Sequence, residues 1–136
     1  MKYLLALLLL ACAPARAEWV KIGQVEKSSL LFLSSKTVYY IDPSSVTREG
    51  NVRKVWQIRD LADKGSRGER SVLEAVEYDC LDKQMRTVSA SGHSRTMGQG
   101  EIIPLSGVSV TDEWIPLRAG KEYEIFYKIL NRICAP

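Results

Sequence analysis

The chain has 136 residues, 46% hydrophobic and 26% charged, with 19 Lys and Arg against 16 Asp and Glu. That near balance excludes the strongly basic field of a nucleic-acid binder, and the length suits one domain with a real core. One histidine and three cysteines leave little material for metal or nucleophilic chemistry.

The chain opens MKYLLALLLLACAPARA. Lys2 is a minimal positive start, and Tyr3 to Ala13 is an uncharged, leucine-rich run of eleven residues. A bilayer takes about 20 apolar residues, so the run fits the core of an export signal and not a span. Pro14 breaks it, and Ala15-Arg16-Ala17 is a small-x-small cleavage site. Cleavage between Ala17 and Glu18 makes residues 1–17 a signal peptide and 18–136 one domain. A competing reading lies in the same segment: Leu9-Leu10-Ala11-Cys12 resembles a lipobox, in which Cys12 becomes the lipidated first residue. Either way Cys80 and Cys134 are the domain's cysteines. In an oxidising compartment an even count predicts a bridge, here one closing a loop of 55 residues (134 − 80 + 1).

Glu18 to Val25 alternates loosely and reads as a first strand. Leu30 to Leu33 is a short apolar run that extends a neighbouring hairpin. Lys36 to Ile41 has the β-branched and aromatic composition of a second strand. Asp42-Pro43-Ser44-Ser45 ends it, because proline cannot donate to a ladder and Asp and Ser favour turns. After a turn at Glu49-Gly50-Asn51, Val52 to Leu61 is the third strand. Val52, Trp56 and Ile58 fall on one face, taken as buried. Arg53, Gln57 and Arg59 fall on the other, taken as wet.

Lys64 to Gly68 is a hairpin loop. Glu69 to Cys80 is the fourth strand, with Val72, Val76, Tyr78 and Cys80 in phase. Lys83 to Ala90 returns as the fifth, followed by a glycine- and serine-rich loop from Ser91 to Gly100. Glu101 to Leu105 is a sixth strand, confined to an edge by Pro104. The period then changes. Ile125, Phe126, Ile129, Leu130 and Ile133 make one face of a helix entered near Gly120, with Glu124 and Lys128 spaced to pair. The fold class is α+β, an antiparallel sheet of about six strands with one C-terminal helix packed on it and one disulfide.

Chemistry is sparse. A Ser/His or Cys/His apparatus would have to use His93, which reads as an exposed loop histidine, and a bridged Cys80 is no nucleophile. Asp79 and Asp82 lack the surrounding pattern of a calcium loop. Glu74 and Glu77 point to different faces of a strand, and Gly92, Gly98 and Gly100 do not form a phosphate loop. The sequence therefore predicts no catalytic residue, no cofactor and no metal. The basic-leaning zone from Arg48 to Arg70 holds seven Lys and Arg against four Asp and Glu. Within it Arg48, Arg53, Arg59, Lys64, Arg67 and Arg70, with His93 in the later loop, form the candidate binding surface.

The order of features carries a resemblance. Trp19 opens the mature chain. Tyr40-Ile41-Asp42-Pro43-Ser44-Ser45-Val46 follows, then Val55-Trp56, a strand ending Tyr78-Asp79-Cys80, Arg86, and a helix ending Ile133-Cys134. From Trp19 to Cys134 this resembles the surface-adhesin protein E family of Gram-negative bacteria. The resemblance implies a small antiparallel sheet with a helix tied by a Cys80–Cys134 disulfide. It also implies a non-enzymatic envelope protein that binds host matrix or serum proteins such as vitronectin, laminin and plasminogen. The alternative is a periplasmic structural or interaction protein with a bacterial partner and no host ligand. In both, the membrane is met only through a lipid on Cys12, no nucleic acid is bound, and the place is the periplasm or the outer membrane and cell surface.

Overall fold

The computed structural model describes residues 16–28, 34–105 and 110–136. The lipobox around Cys12 and the apolar run from Leu30 to Leu33 lie outside the described residues. Among the described residues one antiparallel sheet holds eight strands. The main path is β1 (Val20–Ser28), β2 (Ser34–Ile41), β4 (Val52–Leu61), β5 (Ser71–Asp79), β6 (Gln84–His93) and β7 (Ile102–Ile103), while β3 (Thr47–Glu49) pairs with β4 and β8 (Ile115–Pro116) with β6.

The β2–β4 connection is built as its residues dictate. Asp42 Oδ1 accepts from Ser44 N at 3.0 Å and from Ser44 Oγ at 2.6 Å, and Pro43 starts a 3-10 turn. Ser45 Oγ then accepts from Trp56 N at 2.9 Å, pinning the turn to β4. Gly50, at φ +58°, makes the tight hairpin between β3 and β4, a conformation that costs glycine little.

The helix α1 (Glu124–Cys134) follows a 3-10 turn at Lys121–Tyr123. It buries Ile125, Ile129, Leu130 and Ile133 against Tyr39, Ile41, Val55, Val76, Tyr78 and Met85 of the sheet. Each such side chain contributes about 1.5–3 kcal/mol when fully buried. Phe126 meets Tyr39 edge-on at 5.8 Å. Near Gly120 the chain turns in as expected, but Glu124 and Lys128 are not joined as an ion pair; both line a cleft beside β1. The predicted bridge is present: Cys80, just past β5, is bonded to Cys134 at the end of α1, with a Cα–Cα distance of 5.8 Å.

The expected facing of β4 is corrected. Val55 and Gln57 face the helix, both fully buried, while Trp56 points to the other side and is 39% exposed. Ile58 shares the side of Trp56 yet is fully buried. The segment 94–100 covers it, donating from Met97 N to Asp60 Oδ1 (2.8 Å) and from Gly98 N to Ser71 Oγ (2.9 Å). A Cβ on Gly98 would sit 3.5 Å from Ile58 Cδ1. Both faces of the central strands are thus partly covered, so simple alternation fails.

The β6 edge is covered by later chain. β7 pairs with Gly92 and His93, β8 pairs with Gln84 and Met85, and Thr111 N donates to Thr87 O at 3.2 Å. Arg86 holds this cover down. Its Nε donates to Glu77 Oε2 at 2.8 Å, its Nη1 to Asp112 O at 3.2 Å, and its guanidinium lies 4.4 Å from the centre of the Trp114 ring.

Candidate binding surface

The predicted basic residues do not form one patch. Arg48 on β3 stands opposite Arg53 on β4, at the Gly50 end of the sheet. Lys64, Arg67 and Arg70 sit in the β4–β5 connection at the other end. The ten residues of β4 lie between, roughly 33 Å of strand. Arg48, Lys64 and Arg67 are exposed, whereas Arg53 and Arg70 are half-buried. Arg53 Nη1 donates to Gly50 O at 2.9 Å and Val52 O at 3.2 Å, so part of its donor capacity is spent locally.

Arg59 is drawn inward. Its Nε donates to Glu74 Oε1 at 3.0 Å, with the two side chains 29% and 7% exposed. The same oxygen accepts from Gln57 Nε2 at 2.7 Å, and Gln57 Oε1 accepts from the Tyr78 hydroxyl at 2.9 Å. This polar chain runs from the core to the sheet surface across β5 and β4. Burial, then the Glu74 carboxylate and Tyr39, push the Tyr78 phenol well above its ordinary value. Tyr39 is raised as well, chiefly by burial; Arg59 pulls it down and Glu74 pushes it up.

His93 is a second correction. It closes β6 instead of lying in an exposed loop, and only 6% of it is accessible. β7 pairs alongside it through Ile102, so its strand is not at the open edge. Its Nε2 and Ser91 Oγ are 2.9 Å apart, and Nδ1 is buried without a partner. His93 therefore offers no surface to a partner. Ala17 and Glu18 are exposed at the start of the described chain. Among the described residues no group of three His, Cys, Asp or Glu side chains is placed to hold a metal ion, and no helix is long and apolar enough to cross a membrane.

A cleft of about 410 Å³ that sequence reasoning missed lies between β1 and the start of α1. Gln24, Val25, Glu26 and Lys27 form one wall, and Lys121, Glu122, Glu124, Ile125 and Lys128 the other. Gly23 closes one end. A Cβ there would lie 3.0 Å from Ile125 Cδ1 and 3.8 Å from Lys128 Nζ, so the helix approaches β1 where the side chain is missing. A glycine inside a strand pattern is the sequence signal for such an approach.

The sequence model of the surface-adhesin protein E family matches residues 19–135. No curated protein and no solved structure matches the chain.

Proposed function

The chain belongs to the surface-adhesin protein E family, and from that premise we propose that it is an exported, non-enzymatic binding module whose ligand is a host matrix or serum protein. The family match over 19–135 carries this reading. The build of the domain supports it: a helix bonded to the sheet by a disulfide suits a small protein working outside the cytoplasm. In this reading residues 1–17 direct export, with Ala17–Glu18 cleavage or Cys12 lipidation deciding between release and anchorage. Contact falls to two separate places, the exposed Arg48 at the Gly50 end of the sheet and the exposed Lys64 and Arg67 at the other, where Arg70 and the Ser94–Gly100 segment adjoin them.

The test is solid-phase binding of the mature protein, residues 18–136, to vitronectin and laminin. Saturable binding that weakens with salt supports the reading, since exposed charges are screened beyond about 8 Å at physiological ionic strength. No binding at micromolar concentration, together with capture of an envelope protein by mild crosslinking in the native cell, replaces it with the periplasmic interaction role.

A further inference from the structure

The main strand path ends at β1 and β7 among the described residues; β7 has two residues, whereas β1 has nine and presents the long edge. The two halves of this edge differ. A bulge between Lys21 and Gly23 interrupts the first half, and bulges stop a neighbouring chain from pairing. The second half pairs regularly with β2 from Gly23 to Ser28, and it is this half that opens on the cleft. Successive side chains of a strand point to opposite faces. A cleft wall made of Gln24, Val25, Glu26 and Lys27 in a row is therefore the strand's edge itself.

We propose that this half-edge takes an extended segment of a partner protein as an added antiparallel strand, and that the segment reads acidic, basic, apolar, polar from its N-terminal side. The added strand would lie about 4.8 Å from β1, between it and the first turn of α1. The order follows from the wall. Val25 shares the helix-side face with Gly23 and Thr37, and Ile125 lines the same cleft, so the residue opposite Val25 meets two apolar side chains. Glu26 points to the other face, where its inner neighbour on β2 is Lys36. A basic residue opposite Glu26 on the open side meets the same carboxylate from the edge. Lys27 points to the helix side, where the helix-side wall carries two lysines and two glutamates, so the cross-strand pair with Lys27 itself favours an acidic residue. Gln24 suits a polar one.

This inference rests on the partner-binding reading above and gives it a place and a sequence preference. The probe is the acetylated, amidated heptapeptide TEKVTVT and its relative TKKVTVT, titrated into labelled mature protein to about 1 mM, a range that reports weak binding. Shifts and slowed hydrogen exchange are expected at alternate amides from Gln24 to Lys27. The wild type should prefer TEKVTVT by about two- to five-fold, the size of a cross-strand charge pair, and Lys27→Glu should reverse the preference. Lys27 faces Ser35 on β2, so this variant leaves no charge pair broken inside the sheet. No shift along β1, equal affinity for both peptides, or a β1-to-β1 dimer in the free protein overturns the proposal. Vitronectin or laminin binding without peptide binding defeats it and leaves the host-protein reading standing; peptide binding without either host protein does the reverse.

Discussion

The helix-side face of the sheet has two halves built on different physics. Under α1, Ile41, Val55, Val76 and Met85 meet Ile125, Ile129, Leu130 and Ile133, and the contact is apolar throughout. Beside it, Tyr78, Gln57 and Glu74 are also buried, but they and the part-exposed Arg59 are held by hydrogen bonds of 2.7–3.0 Å. Apolar burial is non-directional and tolerates sliding. Each polar link needs its one partner, and an unmet group costs about 1–3 kcal/mol. The apolar half therefore supplies most of the cohesion, and the staple secures it. The polar half fixes how β4 sits against β5.

Targeted variants break one half at a time. Cys80→Ser with Cys134→Ser removes the staple from the apolar half. Chain entropy for a loop of this length gives a loss of about 4 kcal/mol, the largest effect expected here. Thermal melting with and without reductant checks it: the wild type should fall to the level of the double variant when reduced, and a variant melting unchanged would show that packing alone seats the helix.

Gln57→Leu strikes the polar half. It strands the Tyr78 hydroxyl and takes a donor from Glu74, for a loss of about 2–3 kcal/mol in urea unfolding. Adding Tyr78→Phe should recover part of that loss, because the stranded hydroxyl is gone; a double variant worse than the sum would contradict the chain of bonds. The same phenol gives a pH signature. Its folded value is raised, so its contribution is fully present below the unfolded value of about 10 and is lost as pH rises through the folded value. Alkaline unfolding should be less steep in Tyr78→Phe than in the wild type.

Gly23→Val tests where the helix meets β1. The new side chain would press on Ile125, which cannot move without leaving the core, and overpacking of this kind costs about 1–3 kcal/mol. Hydrogen exchange should quicken first in α1 and β1. Equal quickening in β5 and β6 would mean that the contact is not local.

The apolar half was legible in the sequence and the polar half was not. The helical spacing of Ile125, Ile129, Leu130 and Ile133 needs only local order, and a pair of cysteines in an exported chain needs only counting. Gln57 is different. Its bonding partners lie 17 and 21 residues away, so nothing near it marks a buried amide. Read by alternation, it went to the wet face and Trp56 to the core, the reverse of what β4 does. His93 differs from the expectation for a related reason: β6 runs to His93, past the Ala90 boundary, and the β7 strand that pairs with it comes from residues outside its own hairpin. The cleft had a single local sign, Gly23, whose role appears only when the helix lies across it.

The smallest expected effect concerns the turn that presents Cys80 to the staple. Asp79 Oδ1 accepts from Leu81 N at 2.9 Å and Asp82 N at 3.0 Å, and Lys83 beyond them takes φ +52°. The Asp82 N–H chiefly holds the Asp79 carboxyl below its ordinary value; the slight burial of the group works against this, and the Leu81 N–H and Gln84 amide add to the lowering. A depressed folded value means stability that is present above the unfolded value of about 3.9 and lost as pH falls through the folded one. Asp79→Asn keeps an acceptor but not the charge. Its urea midpoint should lie slightly below that of the wild type at about pH 5, and the gap should narrow as pH falls through the folded value. A gap that stays constant over that fall would mean that the turn depends on the shape of the side chain and not on its charge. The seat of Cys80 would then share the character of the apolar half it serves, indifferent to protons, while the polar half alone answered to pH.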